Sequence, residues 1–85
     1  MKWRSVKKHI NQPILVKFLD HAMGASPVEC SVVGYLSFMD AKHIKIVSWD
    51  CNIPEPDRSS NIEFFSILKS TVLEIYPLTI AKKFG

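Results

Sequence analysis

The 85-residue chain has only three glycines, Gly24, Gly34 and Gly85, and they stand too far apart to form a glycine-rich phosphate loop. Its two cysteines, Cys30 and Cys51, show no C-x-x-C spacing. His21, Cys30, His43 and Cys51 are zinc-ligand types, but no pair has the short separation that marks a zinc site. Asp20 and His21 with Ser26 or Cys30 have the residue types of a triad, without a nucleophile elbow or an oxyanion loop. No apolar run approaches the ~20 residues that span a bilayer. The apolar stretch after the basic start is broken by Lys17 and Asp20, and no small-residue cleavage site follows. These absences predict a soluble cytoplasmic protein with reduced thiols, no catalysis, no metal, no cofactor and no membrane partner.

What the chain does have is apolar surface. Of its residues 47% are apolar and 11% aromatic, against 22% charged. A domain of this size buries only about 60–65% of its unfolded surface, so part of that material stays outside a monomer core. Self-association is the expected consequence. The net charge is +3, and its placement is uneven. Lys2, Arg4, Lys7, Lys8 and Lys17 all precede the first acid, Asp20, so the rest of the chain is slightly acidic. A basic arm on a near-neutral body suits a polyanion or an acidic partner.

Trp3, Val6 and Ile10 fall at i, i+3 and i+7 with basic residues between them, which predicts a short amphipathic helix over 3–10. Asn11-Gln12-Pro13 ends it, and a helix that short must dock on the body. From Ile14 the pattern is β. ILVKFL (14–19), VECSVVGYLSF (28–38), HIKIVSW (43–49), FFSIL (64–68) and TVLEIY (71–76) read as five strands. Gly34, inside the second, predicts a bulge or sharp bend. DCNIPEPDRSSN (50–61) reads as a variable loop, and Lys69-Ser70 as a one-turn corner rather than a hairpin. The expected architecture is mainly β, a short N-terminal helix and a strongly bent five-stranded antiparallel barrel over 13–78, within one domain.

Two segments resemble a known family. LKSTVLEIYP (68–77) is similar to the second Sm motif as it occurs in the bacterial RNA chaperone Hfq, roughly YKHAISTVVP, with Lys69, Val72 and Pro77 coinciding. GYLSFMDAKHIKIV (34–47) resembles the first Sm motif, with Gly34, Leu36, Asp40, Ile44 and Ile46 in its places. In character the chain looks most like the divergent Sm-like proteins of marine phages, which would put it in a host cytoplasm.

The resemblance implies a homo-oligomeric ring of five to seven subunits, the fourth strand of one pairing with the fifth of the next. It implies single-stranded RNA, or DNA, at the pore rim. By position it nominates Asp40, Lys42 and His43 from the first motif and Lys69 and Ser70 from the second. Lys2, Arg4, Lys7 and Lys8 would add phosphate contacts, while Trp3 would pin the helix to the barrel. The chain departs from the pattern where Lys42 holds the stacking position, Ile44 the place of an asparagine and Ser70 that of the Hfq histidine. A different class of function also fits: an SH3-like module receiving a partner's peptide. Trp49, Tyr35 and Phe38 would line its groove, although each is also expected as core.

Overall fold

The computed structural model describes residues 1–20, 26–49 and 63–79. Its elements are helix α1 (Trp3–Lys7) and strands β1 (Pro13–Asp20), β2 (Val28–Met39), β3 (His43–Trp49), β4 (Glu63–Leu68) and β5 (Val72–Pro77). A 3-10 turn over Lys69–Thr71 joins the last two. The expected loop over 50–61 lies outside the described residues.

All strand pairs are antiparallel, in the order β4-β3-β2-β1-β5. β4 and β5 are therefore the two edges, although only the 3-10 turn separates them in sequence. In a flat sheet they would lie about 19 Å apart at ordinary strand spacing. A 3-10 turn rises only about 2 Å per residue, so the sheet must curl until its edges approach at that corner. The expected five-stranded antiparallel sheet is thus present, and among the described residues it stays open: the turn joins β4 and β5 at one end and no ladder forms between them.

Period-two alternation puts Ile14, Val16, Leu36, Ile44, Ile46 and Ile67 on the concave face, where all six are buried. Each such side chain contributes about 1.5–3 kcal/mol on leaving water. β2 serves both halves of the sheet. Val28–Tyr35 pair with β1 and Tyr35–Met39 with β3, so the strand bends where it changes partners. Gly34 sits at that point. A Cβ there would stand 2.5 Å from the Val47 carbonyl oxygen and 2.6 Å from Ile46 Cγ2, so the glycine permits a close backbone crossing. The bulge itself lies further on, between Leu36 and Phe38. It shifts the alternation by one residue and turns Phe38 outward, and both Phe38 and Tyr35 are exposed, not core.

α1 is shorter than the expected 3–10. It has no side-chain N-cap and no acid in its first turn, and a turn completes it through Asn11, whose φ is 69°. Tertiary contacts hold it. Trp3, Val6 and Ile10 pack on the core, and the Asn11 N–H donates to the Leu36 carbonyl at 2.6 Å while the Leu36 N–H donates to Gln12 at 3.0 Å. Among the described residues no helix is long and apolar enough to cross a membrane.

Candidate nucleic-acid interface

The turn from β2 to β3 is built on Asp40. Its carboxylate accepts the backbone N–H groups of Lys42 at 2.8 Å and His43 at 2.6 Å, and its own N–H donates to the His43 carbonyl at 3.0 Å. The two amide donors, Lys42 foremost, hold the Asp40 carboxyl below its ordinary 3.8; the nearby His43 ring, its Nδ1 3.4 Å away, adds to the effect. Asp40 thus shapes the turn more directly than it offers itself to a ligand. Lys42 is exposed, and His43 is half-buried at the start of β3.

The second motif arrives at the same place. β3 and β4 pair from Trp49↔Glu63 to His43↔Leu68, and the ladder ends with the Lys69 N–H donating to the Lys42 carbonyl at 2.7 Å. Thr71 Oγ1 donates to the Leu68 carbonyl at 2.8 Å and closes the corner. Asp40, Lys42, His43, Lys69 and Ser70, chosen from two segments far apart in sequence, therefore form one continuous end of the sheet.

The Lys69 side chain is not free. Its ammonium lies 5.0 Å from the centroid of the Trp3 ring and is half-buried, so it bridges the corner to helix α1. Trp3 packs against the core as expected of a pinning residue. Ser70 is exposed beside it, and Lys2, Arg4, Lys7 and Lys8 are exposed on and around the helix. Lys2 also lines an apolar cleft of about 240 Å³ between the helix and β5, with Val6, Ile14, Ile75 and Pro77 among its walls.

Cys30 is a free, half-buried thiol whose Sγ lies 3.8 Å from the Val28 carbonyl. His21 and Cys51 lie outside the described residues, and among those described no three His, Cys, Asp or Glu residues group as metal ligands. The side chain of Trp49 is likewise outside them.

One cluster was missed by reading the sequence. Lys45 places its ammonium 4.5 Å from the Phe64 ring centroid and 5.9 Å from that of Phe38, on the convex face of the sheet. The alternation of HIKIVSW marks Lys45 as outward, which was a usable signal. Nothing local shows that a bulge brings Phe38 opposite it. No protein-family model, curated protein or solved structure matches this chain significantly.

Proposed function

We propose that this protein is an Sm-like, non-catalytic single-strand nucleic-acid binder, of RNA in the first instance, that assembles as a homo-oligomeric ring of five to seven subunits. The observation that carries the reading is the backbone hydrogen bond from Lys69 to Lys42, which unites the two Sm-like segments in one basic corner. The strand order supports it as well, since among the described residues β4 and β5 are both unpaired edges with exposed apolar residues: Phe64, Phe65 and Leu68 on one, Leu73 and Tyr76 on the other. An uncovered edge of that composition aggregates unless another strand pairs with it. Pairing β4 of one copy with β5 of the next covers every edge when the ring closes.

A ring repeats the corner around one axis, so Lys42 and Lys69 supply a circle of positive charge for phosphates, with the basic arm at its margin. Lys69 acts with its ammonium shared between Trp3 and the ligand. Asp40 orients the turn and His43 offers a ring near the path. Such a protein of phage type would work in the host cytoplasm.

Fluorescence anisotropy of labelled six-base oligo-U, oligo-A and the matching DNA, at 50 and 200 mM salt, tests the proposal. Affinity should fall about twentyfold over that range if three phosphates are contacted, and Lys69→Ala should weaken binding of every sequence. Exposed Tyr35 and Phe38 favour the second reading, an aromatic surface for a partner's peptide. Absence of oligonucleotide binding at tens of micromolar protein would leave that reading standing instead.

A further inference from the structure

We infer that Phe38, Lys45 and Phe64 form a second single-strand contact on the convex face, a stacking platform separate from the corner. Cross-strand register builds it. Lys45 stands opposite Phe38 on β2 and Ser66 on β4, and the next outward row is Tyr35, Val47 and Phe64. Phe38 and Phe64 are 50% and 52% exposed, although phenylalanine is among the residues most often fully buried. With one ammonium within 6 Å of both centroids, the rings lie no more than about 10 Å apart.

The chemistry favours a planar ligand on an anionic backbone. Two half-exposed rings supply stacking, which every base accepts, and the lysine lying over them supplies a phosphate contact. Among the described side chains Lys45 has no carboxylate partner, and its ammonium lies against the two rings. The platform also continues the corner. His43 and Lys45 are successive outward residues of β3, so a strand leaving the corner runs over His43 onto Lys45 and the two rings. The inference rests on the proposed single-strand binding and adds a direction and a base-stacking step to it.

The test compares native protein, the double variant Phe38→Thr/Phe64→Thr and the double variant Phe38→Tyr/Phe64→Tyr, with Lys69→Ala alongside, on labelled six-base oligo-A and oligo-U. Threonine keeps strand preference while removing the ring. The threonine variant should lose affinity by about tenfold per ring, and the tyrosine variant should keep it. In the native protein the Phe38 and Phe64 ring resonances, assigned from the single tyrosine variants, should shift as oligo-A is added; this readout holds even if the threonine variant does not fold. Native-like binding by a folded threonine variant overturns the platform while leaving the corner intact. Unmoved ring resonances on saturation do the same. A change in oligomeric mass without a change in affinity reassigns the face to subunit contact and overturns it. No binding by native protein removes both this inference and the function it extends.

Discussion

Lys42 and Lys69 are joined through their backbones, the Lys69 N–H donating to the Lys42 carbonyl at 2.7 Å. The bond is the last rung of the β3–β4 ladder, and it fixes the spacing between the Asp40 turn and the 3-10 corner. Two lysines that a sequence reader meets 27 positions apart thereby share one local surface.

Lys69 and Trp3 should be energetically coupled. The ammonium is 5.0 Å from the indole centroid and both side chains are half-buried. A double-mutant cycle with Lys69→Met and Trp3→Leu, followed by urea denaturation, should give a coupling of about 0.5–1 kcal/mol. A coupling of zero would mean that the lysine does not rest on the ring in solution.

Gly34→Ala should destabilise the sheet by about 1–3 kcal/mol, the range for forcing atoms into a filled site. The added Cβ meets the Val47 carbonyl, which is backbone and cannot rotate away. Thermal melting followed by circular dichroism reads the loss. An unchanged melting temperature would show that β2 and β3 cross less closely than described.

Acid should loosen the Asp40 turn in a definite direction. Because the amides of Lys42 and His43 hold the folded carboxyl below 3.8, the unfolded chain binds more protons in the acid range. The stabilisation is complete above the ordinary value and is lost as the pH falls below it, through the lowered folded value. Urea midpoints measured from about pH 5 down to about pH 2 should therefore fall more steeply for native protein than for Asp40→Asn. Parallel curves would remove Asp40 from this role.

The proposed edge pairing is tested by mass. Each chain is 9.7 kDa, and light scattering on native protein should give five to seven times that. Leu73→Lys and Phe65→Lys place charge on the exposed edges β5 and β4, the usual device by which edge strands are kept apart. Either change should yield monomers, with weaker oligonucleotide binding because the corner no longer repeats around an axis. A native monomer would sink the ring.

The sequence by itself determined the short helix face of Trp3, Val6 and Ile10, all five strands to within about two residues at each end, and the Lys69 corner. Those features are written in local periodicity and in turn chemistry, which act over a few residues. Tertiary structure decided the rest. The bulge beyond Leu36 reversed Phe38, and a one-residue slip of that kind changes the face of a side chain without altering composition. The Lys45 cluster needed that reversal and the β3–β4 register together. The approach of β4 and β5 at one corner, with no ladder between them among the described residues, depends on the whole strand order, which no single segment encodes. The union of Lys42 with Lys69 depended on pairing strands on either side of a long connection, a contact between residues distant in sequence that local pattern does not encode.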